Sequence, residues 1–414
     1  MARIRAFRGL RPQPALAARA ACPPYDVINS EEARRLAEGN PDSFLYVVKP
    51  EIALPPELDT HDALVYETGR AQLERLLASG SYLQDASPCL YLYQLEMEGR
   101  VQTGVAAATS VADYLSGVIK KHELTRPDKE EDRRQHIRVT GVHAEPVLFA
   151  YPDVEDLDSF IRSLTAAAPP VYSFTAADGI SHRMWVVEDA AAIARITEGF
   201  AASVPAVYIA DGHHRSAAAA SAGEARRLAN PAHTGGEDYN WFLAVHFPAS
   251  ELRIMDYNRV VRDLNGLSAS GFLSQLEASF TVEPQPAAYR PEALHCMGLY
   301  LPGQWYRLEA RPGTFDSSDP VGVLDVTILS RQVLEPLLGI RDLRRDQRID
   351  FVGGMRGLGE LERRVDSGEM AAAFALYPVS MQQLIGLSDA GEIMPPKTTW
   401  FEPKLRSGLI VHPF

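Results

Sequence analysis

Between Val207 and Ala220 the chain admits one compact reading: strand, tight turn, helix. Val207 to Ala210 is a short apolar run of the kind a buried strand uses. Asp211-Gly212 is a turn signal, with Gly212 free to take a positive φ or to let a ligand approach the backbone. From Ser216 to Ala225 strong helix formers dominate. A helix that starts just after a glycine turn points unpaired N–H groups into the turn and favours an anion there. An Asp-Gly cap before a helix is common by itself. Asp211, His213, His214 and Arg215 within five positions exceed what capping asks for.

The 414 residues suffice for two or three structural units, and the expected division is 1–110, 111–265 and 266–414. A net charge of −13 argues against a general nucleic-acid binder but leaves room for a local basic pocket. Cys22, Cys89 and Cys296 are far apart and form no CxxC pair, which fits a reducing compartment and gives no thiolate metal site. No stretch has the apolar length to span a bilayer, and the basic start Met1 to Arg8 is not followed by an apolar leader. The expectation is a cytoplasmic protein without a membrane partner.

Along the chain, Asn29 or Ser30 caps a helix over Glu31–Glu38, and Ser43–Val48 reads as a strand. Residues 61–80 form an amphipathic helix, and Leu90–Leu95 with Val101–Thr109 form a hairpin around Glu98-Gly99-Arg100. Tyr25 and Asp26, beside a proline pair, can line a cleft. Tyr114–Ile119 is strand-like and leads to Lys121-His122-Glu123, ahead of a helix that Pro127 starts. Lys129 to Arg134 fits a solvated face laced with ion pairs as well as a functional one. A carboxylate such as Glu123 at that junction can take a proton from a hydroxyl within hydrogen-bond reach. Trp241–Phe247 reads as a buried strand beside the central one, and Asp325–Leu338 as a helix interrupted near Pro336. Near the end, Pro395-Pro396-Lys397-Thr398-Thr399 offers one point charge and two adaptable donors, a set suited to a phosphate or a carboxylate.

Taken together, the blocks Phe7–Pro12, Pro23–Ile28, Asn40–Pro50, Ile119–Arg133, Ile209–Arg215, Asp256–Val261 and Pro395–Leu409 resemble a bacterial and archaeal family catalogued as a domain of unknown function. Three of them are also similar, in the same order, to the free L-serine kinases: Lys121-His122-Glu123, Asp211-Gly212-His213-His214-Arg215 and Pro396-Lys397-Thr398-Thr399. The resemblance implies an α+β chain with a ParB/sulfiredoxin-like catalytic core and additional mixed-sheet α/β segments. It implies phosphoryl transfer from ATP or ADP to the hydroxyl of free serine, giving O-phosphoserine. Glu123 then corresponds to the base, and Asp211–Arg215 to the turn that holds the donor's phosphates. This chain is longer than the compact archaeal kinases and inserts a large segment between Glu123 and Asp211.

Phosphoryl transfer is mostly positioning and charge neutralisation. Gly212, His213, His214 and Arg215 can supply donors and a cation, and Glu123 a carboxylate. The usual divalent ion, Mg2+, would be held with help from Asp211, directly or through water. Lys397, Thr398 and Thr399 are the candidates for gripping the amino acid or its product phosphate. There is no GxxxxGK[ST] loop and no protein-kinase HRD or DFG set. Two other readings stand beside this one. A ParB-like nucleotide-binding regulator would carry a basic DNA-reading helix, which the acidic balance disfavours. A metal-dependent hydrolase using His213 and His214 lacks an evident third ligand.

Overall fold

The computed structural model describes all 414 residues, which divide into two compact units: Met1–Leu252 with Pro403–Phe414, and Arg253–Glu402. This differs from the three-part division expected. Residue 110 falls inside a continuous sheet, because the strand ending at Ser110 pairs with one that starts at Trp241.

The first unit is built on a nine-stranded mixed sheet. Its strands are β1 (Ile4–Arg5), β2 (Leu90–Met97), β3 (Arg100–Ser110), β4 (Ile119–Lys120), β5 (Val147–Tyr151), β6 (Tyr172–Thr175), β7 (Ser181–Val187), β8 (Val207–Asp211) and β9 (Trp241–Pro248). They lie in the order β4-β8-β5-β9-β3-β2-β7-β6, with β1 beside β3. The pairs β4–β8 and β5–β9 are parallel and the rest antiparallel. Hence β9 is not the neighbour of β8, as the sequence suggested; β5 lies between them.

Besides a single turn at Ala17–Ala20, the helices of this unit are α1 (Ser30–Ala37), α2 (Leu45–Val48), α3 (Ala63–Ala78), α4 (Val111–Leu115), α5 (Pro127–Thr140), α6 (Glu155–Ala167), α7 (Ala190–Ser203) and α8 (His213–Ala229). Caps set several of their starts. Asn29 accepts from the Glu32 amide while Glu32 reaches back to Asn29, and Asp189 accepts from Ala192. Two expectations fail here. Leu45–Val48 is a buried helical turn rather than a strand, and Tyr114 lies in a short helix that ends at Leu115 before β4 begins at Ile119. Tertiary burial overrides the β preference of Val47 and Val48. The main core joins Val207 and Ile209 of β8, Phe149 and Tyr151 of β5, and the alanine face of α8. That run of small side chains lets α8 lie close to its neighbours, and a Cβ on Gly223 would stand 2.3 Å from the Tyr239 carbonyl oxygen.

The second unit carries a six-stranded antiparallel sheet from β10 (Tyr257–Val261), β11 (Phe280–Gln285), β12 (Cys296–Leu301), β13 (Gln304–Ala310), β14 (Ile349–Gly353) and β15 (Ala372–Leu376). The order is β11-β13-β12-β15-β10-β14. Its helices are α9 (Ala269–Leu276), α10 (Asp325–Leu329), α11 (Gly357–Asp366) and α12 (Met381–Asp389). After Leu329 the helix widens to a π turn over Ser330–Leu334, so it loses regular form ahead of Pro336. Mixed and antiparallel sheets with flanking helices place the chain in the α+β class. No helix is long and apolar enough to cross a membrane.

Candidate active site

Strand β8 does not run evenly into α8. Its pairing with β5 slips between Ile209 and Asp211, so one extra residue is accommodated before the turn. By strict alternation Asp211 would share the core face of Val207 and Ile209. The bulge releases it from that face and re-aims it. Gly212 follows at φ +99°. A Cβ there would stand 2.8 Å from Val147 Cγ1 and 3.2 Å from Arg215 Cζ. Only glycine meets both demands, the left-handed backbone and the guanidinium folded over it.

Helix α8 then starts without a capping side chain, and its ladder begins with the Ser216 amide donating to the Gly212 carbonyl at 2.9 Å. The first-turn N–H groups of residues 213–215 lie ahead of that bond, so no intrahelical carbonyl is available to them. Three buried side-chain atoms of the same turn also lack partners: His213 Nε2, Arg215 Nε and Ser216 Oγ. Donors concentrated at a helix N-terminus make an anion site.

Charges around the turn are ordered. Lys404 Nζ lies 2.7 Å from Asp211 Oδ1, and Arg215 Nη2 lies 2.6 Å from Oδ2. Burial by itself would raise the Asp211 carboxyl; Lys404 and Arg215 outweigh it and hold the group well below the usual carboxylate range. Arg215 also donates to the Pro146 carbonyl and sits 3.9 Å from Asp26. Behind it, Glu145 faces Arg133 at 3.4 Å, and Arg133 meets Asp132 at 2.8 Å and covers the Tyr25 ring at 4.1 Å. Burial raises the Glu145 carboxyl against the pull of Arg133 and Arg215. Cations and carboxylates thus alternate from α5 to the mouth of the turn.

The loop that carries Glu123 is bound to this turn on both sides of the glutamate. Parallel pairing sets Ile119 opposite Val207 and Lys120 opposite Tyr208. One residue before Glu123, the His122 ring stands edge-on to His213, centroids 4.4 Å apart. Three residues after it, the Arg126 amide donates to His214 Nε2 at 3.0 Å. That bond requires the other ring nitrogen of a neutral His214 to carry the proton. Burial holds His122 down to about 4, and burial reinforced by His122 holds His213 well below its usual value. Both rings are neutral at pH 7. Glu123, half-buried, and Asp211–Arg215 therefore belong to one locality of the first unit.

Lys397, Thr398 and Thr399 belong to the second unit. There the Lys397 carbonyl accepts from Arg259 Nη2 at 2.8 Å, and Thr398 Oγ1 donates to the Pro395 carbonyl at 2.6 Å. The lysine that meets Asp211 is Lys404, which the sequence reading passed over. Glu145 was also missed. A solvated face was open for Arg133, yet it and Asp132 are buried. Asp26, read as a possible cleft residue, does lie near Arg215. The expected Mg2+ ligand finds a different use. Both Asp211 oxygens are engaged by cations, and no three His, Cys, Asp or Glu side chains are grouped to hold a metal ion. The donor set does not fit a protein-held divalent ion. It fits a carboxylate that clamps two cations side by side.

A family model described as a protein of unknown function (DUF1015) matches residues 4–327. No curated protein matches the sequence. Among solved structures, a conserved hypothetical protein from Pyrococcus furiosus is similar at a TM-score of 0.34 and 13% identity, over 72% of this chain and 90% of that one. Free serine kinase in complex with AMP is similar at 0.35 and 14%, over 72% and 86%. SbnI with C-terminal truncation from Staphylococcus aureus is similar at 0.38 and 11%, over 73% and 85%.

Proposed function

The chain belongs to the DUF1015 family, and from the chemistry of its site we propose that it is a small-molecule kinase that phosphorylates free L-serine from ATP or ADP. The observation that carries this reading is the uncapped first turn of α8 at Gly212, with Arg215 and Lys404 clamped beside it by Asp211. Its donors and cations suit the terminal phosphates of a nucleotide. The ParB/sulfiredoxin-like core implied by the motif resemblance is part of the same proposal.

In the proposed reaction the serine hydroxyl oxygen attacks the donor's terminal phosphorus. The bond from that phosphorus to its bridging oxygen breaks, and ADP leaves from ATP or AMP from ADP. Glu123 takes the hydroxyl proton. First-turn amides, the Arg215 Nε–H and the Lys404 ammonium take up charge on the phosphoryl oxygens. Neutral His213 and His214 add donors without adding charge. Asp211 orients the two cations; as an anion it would repel phosphate if it faced it alone. Lys397, Thr398 and Thr399 are proposed to hold the amino acid's carboxylate or the product phosphate. Serine as acceptor rests on the three motifs shared with the free serine kinases.

The test is incubation of the full chain with ATP or ADP, magnesium and L-serine, reading O-phosphoserine by mass spectrometry. Glu123→Gln removes the base and is expected to lower turnover by about 100-fold or more while nucleotide affinity stays. No phosphoserine above the Glu123→Gln background with either donor overturns the proposal.

A further inference from the structure

Five arginines are almost fully buried: Arg133, Arg215, Arg259, Arg364 and Arg406. Four of them have a carboxylate within ion-pair distance. Arg133 has Asp132 and Glu145, Arg215 has Asp211, Arg364 has Asp350 and Glu369, and Arg406 has Asp178. Arg259, the most buried at 1% exposure, has none. It donates to the carbonyls of Tyr257 and Lys397 and lies 5.4 Å from the Phe351 ring centroid. Neighbouring acids are engaged elsewhere: Asp256 by Asn258 and Arg290, Glu402 by the Trp400 indole. A buried charge is normally retained only with a counter-charge.

A second observation points the same way. Lys397, whose carbonyl Arg259 holds, adopts φ +60°, a region that lysine rarely enters. Thr398 Oγ1 closes this turn onto the Pro395 carbonyl. The Lys397 side chain is exposed, forms no ion pair, and its ammonium lies 5.8 Å from the Tyr257 ring centroid. The second unit thus holds two cations at one strained turn, 5.9 Å and 5.8 Å from the Tyr257 ring centroid, with no carboxylate paired to either. Strain of this kind persists where surrounding structure enforces it, and it clusters at ligand clamps.

We propose that the Pro395–Thr398 turn of the second unit is a binding site for a small oxyanion, a phosphate or carboxylate group. The anion meets the Lys397 ammonium from solvent, and Arg259 lies beneath the turn as the charge that no side chain neutralises. Lys397 is a compact point charge that takes either group. Arg259 acts through its field, which the apolar surroundings leave poorly screened. The site's existence is independent of the kinase reading; only the identity of the anion, as substrate carboxylate or product phosphate, rests on that reading.

The experiment titrates the full chain with inorganic phosphate, O-phospho-L-serine and acetate against chloride at constant ionic strength, by calorimetry and thermal shift. The variants are Lys397→Ala, Arg259→Met and, as a control cation on the same unit, Arg345→Ala. The proposal expects at least one oxyanion to bind and stabilise the wild type, and its affinity to fall about tenfold or more in Lys397→Ala and Arg259→Met but not in Arg345→Ala. Phosphate or phosphoserine without acetate identifies a phosphate site, and the converse a carboxylate site. Since removing an uncompensated buried charge need not destabilise, Arg259→Met is expected to fold; if it does not, Lys397→Ala decides. No binding beyond chloride, or binding that Lys397→Ala leaves unchanged, overturns the proposal. Anion binding without any phosphoserine formation sinks the kinase reading and leaves this site standing. Phosphoserine formation with no anion effect at Lys397 does the reverse.

Discussion

Gly212 shows how one residue couples fold to site. Its φ of +99° would cost an alanine about 1–2 kcal/mol by itself. The added methyl would also press on Val147 and on the guanidinium of Arg215. Gly212→Ala is therefore expected to lower stability by about 2 kcal/mol or more in urea denaturation, and to weaken nucleotide binding at least tenfold by displacing Arg215. Retained affinity in a destabilised variant would show that Arg215 does not take phosphate. This part of the site was legible because it is local. Asp211, Gly212, His213, His214 and Arg215 fall in one five-residue window, where strand, turn and helix signals meet. Lys404 was not legible because it lies 193 residues from its partner Asp211, and nothing in the Pro403-Lys404 dipeptide distinguishes it from a surface lysine.

At the scale of elements, α5 separates two kinds of charge that look alike in sequence. Arg133 and Arg134 are adjacent, but only the first is buried; Arg134 pairs with Glu131 on the exposed face. Arg133→Ala strips the counter-charge from buried Glu145 and Asp132 and is expected to cost about 3–5 kcal/mol. Arg134→Ala removes a solvent-screened pair and is expected to stay within about 0.5 kcal/mol. Chemical denaturation of the two variants checks this, and equal costs would contradict the burial of the charge chain. Helix starts were legible where a cap marks them: Asn29, one of the two residues offered as a cap, closes the first turn of α1. Sheet order was not. Neither the apolar run of β9 nor that of β8 encodes that β5 inserts between them, since strand neighbours are chosen by long-range packing. Leu45–Val48 misled for a related reason, because a four-residue apolar run suits a strand or a buried helical turn equally.

For the whole molecule, the two units carry titratable groups of opposite sign. In the first unit burial holds His122 and His136 down to about 4, and His143, His182 and His246 down to about 3. His213, His214 and His412 are lowered as well, again chiefly by burial. The unfolded chain binds protons on these rings from about pH 6.5 downward, whereas the folded unit binds them only at lower pH. Each of the five rings held down to about 3 or 4 therefore removes about 1.4 kcal/mol of stability per pH unit as the solution falls from 6.5 towards its folded value. Glu145, Asp158 and Glu251 are raised by burial and work the other way, but they are fewer. The second unit contains one histidine, His295, and its buried Asp325 is pushed up to about 7. An acid raised in this way keeps its proton in the folded state after the unfolded chain has lost it, so stability falls as pH rises from about 4 to about 7 and recovers as pH drops through that window. Acidification from pH 7 to 5 is thus expected to lower the melting temperature of the first unit by more than 10 °C, while the second holds or gains. Calorimetry at both pH values, with segment-resolved hydrogen exchange assigning each transition, checks the sign for each unit. A first unit whose melting temperature does not fall by pH 5 would mean that its histidines are hydrated or charged when folded. The wall of neutral rings at the start of α8 would then have to be abandoned.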